Sequence, residues 1–340
     1  MDRLILGPFS SAQQSEILFT RGLPENVLPE RLSRERTAIL YSPGAEPIAN
    51  QVAEAIQTIN LRQLADREDA KTLEESVRIY EWLSERNIGR HDTIIGVGGG
   101  AATDVAGYVA ATWLRGVESI LIPTTLLAAV DAAIGGKTGV NLGGKNLVGA
   151  FHLPSRVIID LEILEALPEP LRQEGIAEAL KAGYVGDSRL VDLLQGTDPP
   201  LAELVKRAVA VKVEVVGSDF RENDRRAVLN FGHTIGHAVE LLAPMPHGLA
   251  VAVGMVAAGT ISAIRYGFDS RGLVETVFGL GLPVAAAGVT PGPALDLIRK
   301  DKKRSSQGTR MVLLRQIADP VVEPVPENLI ELGLAAIGIA

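Results

Sequence analysis

The segment TIIGVGGGAATDVAGYVAAT, residues 93–112, combines the two patterns on which the fold of the N-terminal half depends. Residues 93–97 form a short run rich in apolar and β-branched side chains, which predicts a buried strand. Gly98, Gly99 and Gly100 follow at once and lead into a helix predicted over residues 104–114. A glycine turn between a strand and a helix lets backbone N–H groups approach a phosphate. A tight structural turn is the alternative interpretation.

Strands and helices alternate on both sides of this segment, as they do in sheets whose two faces are covered by helices. Further strands are predicted at residues 37–41, 119–123 and 157–160, and further helices at residues 46–58 and 73–86. Because helices separate most of the strands, the sheet is predicted to be mostly parallel. The sequence therefore predicts an α/β nucleotide-binding domain over residues 1–160.

The β pattern nearly disappears after residue 160, and helical periodicity replaces it. Helical segments are predicted at residues 171–185, 190–194, 201–216, 227–242, 250–266, 272–280 and 293–300. One late apolar run, RMVLLR at residues 310–315, predicts a strand before the tail. We therefore predict a second, mostly α-helical domain over residues 161–340.

Composition limits the function classes that are open to this chain. Of its 340 residues, 46% are hydrophobic and 22% charged, close to the averages of folded soluble proteins. The net charge of −8 argues against nucleic acid as a partner, and the apolar runs are too interrupted for a membrane span. Cysteine is absent, which excludes disulfides, thiolate metal sites and cysteine nucleophiles. With no signal-peptide pattern near the start, we expect a cytoplasmic protein.

Three of the five histidines form a cluster in the sequence. His233 and His237 are four residues apart and share one face of a helix, and His247 follows soon after. Without cysteine, a metal site here must use imidazole and carboxylate ligands, which suit Zn²⁺ or a similar ion. Glu178, in the middle of an apolar helix, is the candidate carboxylate. The spacing does not identify which two histidines bind the metal, and core or capping histidines are the alternative.

Polar residues recur in glycine-rich loops and upstream of the histidines. Asp131, Lys137, Lys145 and Asn146 lie in VDAAIGGKTGVNLGGKN, residues 130–146, where lysines present point charges to phosphate or carboxylate. The alternative is a set of solvated loop residues.

Helical spacing relates a second polar group to the histidines. Arg226 and Asn230 are four residues apart, and Asn230 and His233 three, so these side chains are expected to face one site together with Lys212 and Glu222. A solvated helix face is the alternative here.

These stretches together resemble the 3-dehydroquinate synthases of the sugar-phosphate cyclase family. The resemblance covers about residues 65–315 and is carried by GVGGGAATDVAGYVAATWLRG, IPTTLLAAVDAAIGGKTGVN, GKNLVGAF, GIAEALKAG, LNFGHTIGHAVE and HGLAVAVGM. The wider superfamily of iron-dependent alcohol and glycerol dehydrogenases shares the two-domain plan. It does not share this set of lysines and arginines.

The resemblance implies a role for each matching residue. It assigns a divalent metal, Zn²⁺ or Co²⁺, to Glu178, His233 and His247, and proton transfer to His237 and Glu222. It assigns NAD binding to Glu68, Lys71, Gly98, Gly99, Gly100, Asp104, Thr124, Thr125 and Lys145. It assigns substrate binding to Arg115, Asp131, Lys137, Asn146, Lys181, Lys212, Arg226, Asn230, Lys302 and Lys303, of which Lys137, Arg226 and Asn230 are also expected to take part in catalysis.

The implied reaction converts 3-deoxy-D-arabino-heptulosonate 7-phosphate to 3-dehydroquinate and phosphate. An alcohol is oxidised transiently by NAD, phosphate is eliminated, the ketone is reduced again, and an intramolecular aldol step closes the ring. The resemblance also implies a homodimer, because Arg115 in the family reaches the site of the neighbouring subunit. One departure is Ser42-Pro43-Gly44, where the family commonly has an aspartate for the adenosine ribose.

Three other functions remain open on the sequence. A sister cyclase, such as an amino-dehydroquinate synthase, would keep most of these residues. An NAD-dependent polyol dehydrogenase would not need Lys137, Asn146, Arg226 and the C-terminal lysines together. A non-catalytic NAD-binding regulatory protein would not be expected to retain three metal ligands.

Overall fold

The apolar segments of the first half form strands, as predicted. The computed structural model describes residues 2–7, 14–23, 27–33, 36–197, 199–300, 304–305 and 308–340. Strands of the first half are β1 (Asp2–Leu6), β2 (Ser15–Thr20), β3 (Thr37–Tyr41), β4 (Leu61–Gln63), β5 (Thr93–Gly98), β6 (Glu118–Pro123), β7 (Lys137–Val140), β8 (Val148–Phe151) and β9 (Arg156–Asp160). The four predicted strands correspond to β3, β5, β6 and β9.

Seven of the described strands form one sheet, in the order β1-β2-β9-β6-β5-β3-β4. Neighbouring strands are parallel except β1 and β2, which pair antiparallel. Because β5 and β6 pair in register, Gly98 lies opposite Pro123 where both strands end. Strands β7 and β8 form a separate antiparallel hairpin. The triple glycine and the residues after Pro123 therefore lie side by side at the carboxyl edge of the sheet.

Four helices accompany the described strands of this half: α1 (Glu46–Ile56), α2 (Leu73–Glu85), α3 (Gly100–Thr112) and α4 (Leu161–Glu165). Helix α2 begins where it does because the Thr72 hydroxyl accepts the N–H of Glu75 and caps the first turn. Val52 of α1 packs with Ile39 and Ile95 of the sheet in one buried cluster. Helix α3 begins at Gly100, earlier than predicted, directly after the glycine turn.

The second half is mostly helical, as predicted. Its helices are α5 (Glu169–Gly186), α6 (Ser188–Leu194), α7 (Leu201–Ser218), α8 (His233–Leu242), α9 (His247–Tyr266), α10 (Ser270–Gly279), α11 (Pro291–Lys300) and α12 (Glu327–Ala336). In the described part, β10 (Arg304–Ser305), β11 (Gly308–Gln316) and β12 (Asp319–Val325) form a small antiparallel sheet.

The chain divides into two units, Met1–Pro168 and Glu169–Ala340. The division falls after α4, slightly beyond the boundary predicted after residue 160. An ion pair of 2.6 Å between Arg21 and Glu165 ties α4 to the first unit.

Helix α9 is the core helix of the second unit. It packs against α5, α8, α10, α12 and β11. Among the described residues it is the one helix that is long and apolar enough to cross a membrane, but 72% of its most apolar window is buried inside the structure. This hydrophobicity is therefore that of a helix surrounded by protein.

Gly248, the second residue of α9, lets α9 lie directly on α5. A Cβ at this position would lie 2.3 Å from the carbonyl oxygen of Glu174 and 2.7 Å from its Cα. Since these are main-chain atoms of another helix, they cannot move aside without shifting that helix. The contact lies one helical turn before Glu178 and sets the spacing of the two helices there.

The helix predicted over residues 227–242 is interrupted in the structure. Arg225–Asn230 form a 3₁₀ helix, and the chain leaves helical geometry at Phe231 and Gly232 before α8 begins at His233. Several elements were not predicted: β1, β2, β4, the β7–β8 hairpin, β12 and α12. Strands such as β1, β4 and β8 are short and have few buried residues, so their sequences lack a clear hydrophobic period.

We expect Gly248→Ala to lower the free energy of unfolding by about 1–3 kcal/mol, because the added methyl group overlaps the backbone of Glu174. Thermal and urea denaturation measure the change. Gly279→Ala is the matched control, since a Cβ there has no atom within 4 Å. Equal stability of the two variants would contradict the close contact between α5 and α9.

Candidate functional site

A buried carboxylate of the second unit faces two imidazole rings. Glu178, in the middle of α5, is only 2% exposed. Its Oε1 lies 3.7 Å from Nε2 of His233 and 3.6 Å from Nε2 of His247. Because these histidines are the first residues of α8 and α9, two helix starts and the middle of α5 meet here. The structure thus brings together the three residues to which the resemblance assigns the metal.

Hydrogen bonds at Nδ1 orient the rings of His233 and His247 toward Glu178. Nδ1 of His233 lies 3.2 Å from the carbonyl oxygen of Phe231, and Nδ1 of His247 lies 3.2 Å from Oε2 of Glu240. Each acceptor favours the tautomer in which Nδ1 carries the proton and donates it. The lone pair of each Nε2 is then directed to the side where Glu178 lies, the arrangement that metal-binding histidines usually have.

This donor set fits a divalent metal ion. Both carboxylate oxygens of Glu178 are buried and accept no hydrogen bond from the residues that the structure describes, although Lys181 forms a close ion pair with Oε2. A buried carboxylate in such surroundings is unfavourable unless cations compensate it. One carboxylate and two imidazoles are ligands that Zn²⁺ and Co²⁺ accept, and three protein ligands leave room for a substrate oxygen.

His237 lies beside this cluster and is more exposed than His233. Its ring centroid is 5.3 Å from that of His233 and 5.8 Å from that of His247. The ligand atoms of His237, Glu240 and His247 also lie within 4.8 Å of one another, so these three residues form a second group of possible metal ligands. An imidazole in this position is able to exchange protons with solvent and with a molecule held by the neighbouring cluster.

The loop before α8 is organised by Asp219. Its carboxylate accepts the backbone N–H groups of Asn223, Asp224 and Arg226 at 2.8–3.0 Å. Desolvation raises the pKa of Asp219, but the three hydrogen bonds outweigh it, so the pKa lies below its ordinary value. The loop is therefore built around a carboxylate that is ionised at neutral pH.

This loop brings together Glu222 and Asn230, two of the residues that were predicted to face one site. Oε1 of Glu222 accepts a hydrogen bond of 2.9 Å from Nδ2 of Asn230, and Nη1 of Arg226 donates to the carbonyl oxygen of Phe220 at 2.6 Å. The predicted reason is wrong, because Asn230 and His233 do not lie on one helix. The contact between Glu222 and Asn230 arises instead because the loop folds back on the 3₁₀ helix.

Among the described residues of the second unit, three lysine and arginine side chains are buried. Lys181 of α5 and Arg226 are each 2% exposed, and Lys212 of α7 is 7% exposed. Buried cations are stable only beside anionic or hydrogen-bonding partners, and Glu178 is one such partner of Lys181. These residues place positive charges inside the second unit of a chain whose overall charge is negative.

In the first unit, the backbone at the end of β5 is closely packed. Gly98 has a φ of +154°, and a Cβ there would lie 2.6 Å from Oγ of Ser42 and 2.7 Å from Cβ of Ala102. The residue following β3, where the family commonly has an aspartate, thus lies against the glycine turn. The glycine turn, which has no side chains, leads directly into the N-terminus of α3. Its backbone N–H groups are therefore accessible to the pyrophosphate of a dinucleotide.

The residues that follow β6 lie beside the same turn. The carbonyl oxygen of Gly98 accepts the N–H of Thr124 at 2.9 Å. A Cβ on Gly99 would lie 3.2 Å from Cγ2 of Thr125. The structure therefore gathers Thr124 and Thr125, predicted to bind NAD, next to the triple glycine.

Lys71 connects separate segments of the first unit. Its buried ammonium group donates to Oδ2 of Asp104 at 2.6 Å and to Oδ1 of Asn146 at 2.5 Å. Nearby, Nδ2 of Asn141 donates to Oε2 of Glu68 at 2.8 Å. Residues predicted to bind NAD therefore form one hydrogen-bonded group with Asn146, which was predicted to bind substrate.

The other predicted residues of the first unit lie on loops or at the ends of elements. Arg115, Lys137 and Lys145 are exposed, and Asp131 lies in a single π-helical turn, Ala128–Ala132. Lys302 and Lys303 lie outside the described residues, so their role in substrate binding stays a prediction.

Besides Asp219, two further residues in direct contact with these groups, Glu240 and Asn141, were not predicted from the sequence. Glu240 follows His237 by three residues, which places both on one face of α8, and this spacing was the available signal. Asn141 had no comparable signal, because its contacts depend on how the loop after β7 pairs with a distant segment.

Comparisons with known proteins identify the family. Family models described as 3-dehydroquinate synthase N-terminal and 3-dehydroquinate synthase C-terminal match residues 61–174 and 175–304. A 3-dehydroquinate synthase of Thermobifida fusca (strain YX) is 42% identical over 317 residues, which cover 86% of this chain and 85% of that protein. The chain belongs to the 3-dehydroquinate synthase family. The family predicted from the sequence motifs is confirmed.

Solved structures of related cyclases share the fold. A 2-deoxy-scyllo-inosose synthase complexed with carbaglucose-6-phosphate, NAD⁺ and Co²⁺ has a TM-score of 0.86 at 25% identity, covering 98% of this chain and 99% of that one. The 2-epi-5-epi-valiolone synthase ValA of Streptomyces hygroscopicus subsp. jinggangensis 5008, with NAD⁺ and Zn²⁺ bound, has a TM-score of 0.84 at 25% identity, covering 95% and 96%. The predicted fold class is confirmed.

We expect Glu178→Gln to abolish tight metal binding, and Glu240→Gln to weaken it about 10- to 100-fold, because Glu240 orients the ring of His247. Titration of the metal-stripped protein with Co²⁺, followed by its visible absorption, measures both affinities. Glu275→Gln is the control, since it removes a carboxylate from an exposed ion pair with Arg271 on α10. Unchanged Co²⁺ affinity in Glu178→Gln would show that the metal binds elsewhere.

Proposed function

We propose that the chain converts 3-deoxy-D-arabino-heptulosonate 7-phosphate to 3-dehydroquinate and phosphate, using NAD and one divalent metal ion, Zn²⁺ or Co²⁺. The observation that carries the proposal is the largely buried cluster of Glu178, His233 and His247 beside Lys181, in a chain of this family. The name of the 42% identical relative supports the reaction, and the ligands of the two solved cyclases support the cofactors.

In this proposal the two units bind different cofactors. Glu178, His233 and His247 of the second unit hold the metal ion. The first unit holds NAD through Glu68, Lys71, Gly98, Gly99, Gly100, Asp104, Thr124, Thr125 and Lys145. When bound, NAD accepts a hydride and later returns it, and the metal ion acts as a Lewis acid toward the substrate hydroxyl groups.

The cationic residues bind and orient the substrate. Its phosphate and carboxylate carry charges that complement Lys181, Lys212 and Arg226, which are buried, so their attraction is screened less than at an exposed surface. The remaining binding residues in the proposal are Arg115, Asp131, Lys137, Asn146, Asn230, Lys302 and Lys303. Holding the substrate at several points fixes the reacting atoms and lowers the entropic part of the barrier.

Two residues move protons in this proposal. His237 lies 5.3 Å from His233, ring to ring, and imidazole has an ordinary pKa near neutral pH, which suits a proton shuttle. Glu222 is positioned by its hydrogen bond to Asn230 and acts as the second proton-transfer group.

The experiment that tests the function measures phosphate release from the heptulosonate phosphate with NAD and Zn²⁺ or Co²⁺, while absorbance at the NADH band is followed. We expect phosphate without net NADH, because NAD is regenerated in each turnover. Stoichiometric NADH without phosphate would identify a dehydrogenase instead. No reaction with this substrate, but release of phosphate from another sugar phosphate, would identify a sister cyclase.

We expect His237→Ala to lower kcat about 10²- to 10⁴-fold, the range for loss of a general acid–base group. Metal content by elemental analysis and NAD affinity by fluorescence titration should stay near the values of the unaltered protein. His91→Ala, at an exposed histidine of the first unit, is the control. A variant that keeps near-normal turnover would remove the proton-transfer role from His237.

The proposal includes a homodimer in which Arg115 completes the site of the neighbouring subunit. Leu114 and Arg115 both have left-handed backbone conformations, with φ of +50° and +69°, and Arg115 is exposed. This loop therefore presents the guanidinium group outward. A cytoplasmic location is also part of the proposal, and the burial of α9 in the second unit supports it.

Mixed dimers of Arg115→Ala and His237→Ala test whether Arg115 acts across the dimer. Each variant alone lacks one component at both sites, whereas a mixed dimer contains one complete site if Arg115 belongs to the neighbour. After subunit exchange we expect recovery to about a quarter of normal activity, since half of the dimers are mixed. Mixed dimers that form but stay inactive would place Arg115 in the site of its own subunit.

A further inference from the structure

Asn141 occupies the junction between two segments of the first unit. It is the residue after β7 and opens the loop of residues 142–147, which carries Lys145 and Asn146. Its backbone N–H donates to the carbonyl oxygen of Lys71 at 2.8 Å, and it forms an isolated parallel bridge with Thr72. The loop is therefore attached to the segment of residues 68–72, about 70 residues earlier in the chain.

The side chain of Asn141 uses both ends of its amide. Nδ2 donates to Oε2 of Glu68 at 2.8 Å, and Oδ1 accepts the backbone N–H of Asn146 at 2.9 Å. A side chain with only a donor or only an acceptor cannot make both bonds. Asparagine at this position thus spans the two segments.

A second connection runs parallel to the first. The ammonium group of Lys71, 4% exposed, donates both to Asp104 in the second turn of α3 and to the side chain of Asn146. Asn146 itself has a φ of +54°, a left-handed conformation that costs energy for a residue other than glycine. The bonds from Asn141 and Lys71 therefore support a backbone conformation that the loop does not favour by itself.

We propose that Asn141 is a positioning residue that couples NAD binding to the ordering of the loop of residues 142–147. The inference rests on the proposed function, in which Glu68, Lys71 and Asp104 bind NAD and Asn146 binds substrate. Because the side chains that face NAD are the same ones that hold the loop, a ligand that stabilises their arrangement stabilises the loop conformation as well. The coupling is reciprocal, so substrate held by the loop also tightens NAD binding.

Hydrogen exchange at the backbone amide of Asn146 reads this coupling directly, since that N–H donates to Asn141. Exchange is measured with NAD and without NAD, and substrate is absent in both measurements. We expect NAD to slow exchange at this amide in the unaltered protein. In Asn141→Ala we expect the amide to exchange faster and its response to NAD to shrink, because only the bond from Lys71 to Asn146 remains. We expect the Kd for NAD to rise about fivefold, the effect of losing the hydrogen bond to Glu68.

The variant Asn141→Asp tests the two hydrogen bonds of the Asn141 side chain separately. An aspartate keeps an acceptor for the N–H of Asn146 but places a second carboxylate against Glu68. We therefore expect the amide to stay protected without NAD and to respond little when NAD is added. Leu142→Ala is the matched control, because the neighbouring Leu142 is exposed and its backbone bond to Gly144 is unaffected. This control should behave as the unaltered protein does.

Turnover distinguishes positioning from loss of structure. With saturating NAD, we expect Asn141→Ala to raise the KM for the heptulosonate phosphate with a smaller change in kcat, the pattern of weakened binding. Circular dichroism and the melting temperature should match those of Leu142→Ala.

The proposal is overturned if NAD slows exchange at Asn146 equally in the unaltered protein and in Asn141→Ala, or does not slow it in the unaltered protein. Phosphate release by the unaltered protein is measured in the same preparation. Its absence would overturn the proposed function, whatever the exchange experiment shows. Normal release together with an unchanged exchange response in Asn141→Ala would overturn the role of Asn141 alone.

Discussion

The structure of the second unit depends on three helices that meet around one buried carboxylate. Glu178 lies inside α5, where an isolated charge would be strongly unfavourable. Lys181, one turn later, compensates part of this charge, and the imidazoles that begin α8 and α9 face the same carboxylate. The packing of the helices therefore determines how these side chains are placed, because any shift of α9 on α5 also moves His247 relative to Glu178.

The first unit assembles its polar residues through a different constraint, the common edge at which parallel strands end. Strands β5 and β6 end in register, which places Gly98 beside Thr124 although a helix separates them in sequence. Lys71 then adds a connection that the sheet does not supply, since its ammonium group bonds both to Asp104 in the second turn of α3 and to the loop after β7. Sheet topology thus brings α3 and the loop after β7 close together, and the buried Lys71 holds the side chains of Asp104 and Asn146 in place.

The sequence predicted the chemistry of the site better than its geometry. The four-residue spacing of His233 and His237, and the position of Glu178 in an apolar helix, were sufficient to identify a candidate metal site. The supposed continuous helix through Asn230 was wrong, because apolar periodicity does not reveal a local break at Phe231 and Gly232. Contacts across long sequence separations, such as those of Asn141 with Glu68, left no periodic signal at all.

The distribution of charge favours an anionic substrate over a neutral one. The chain carries a net charge of −8, yet Lys181, Lys212 and Arg226 are withdrawn from solvent in the second unit. Burying cations is unfavourable unless negative or polar groups accompany them, and a neutral polyol adds no negative charge to these partners. A ligand with a phosphate and a carboxylate offsets this desolvation when it binds, and the acidic exterior repels anions that do not reach the buried cations. Three buried cations in a chain of net charge −8 therefore favour a ligand with two anionic groups over a neutral one.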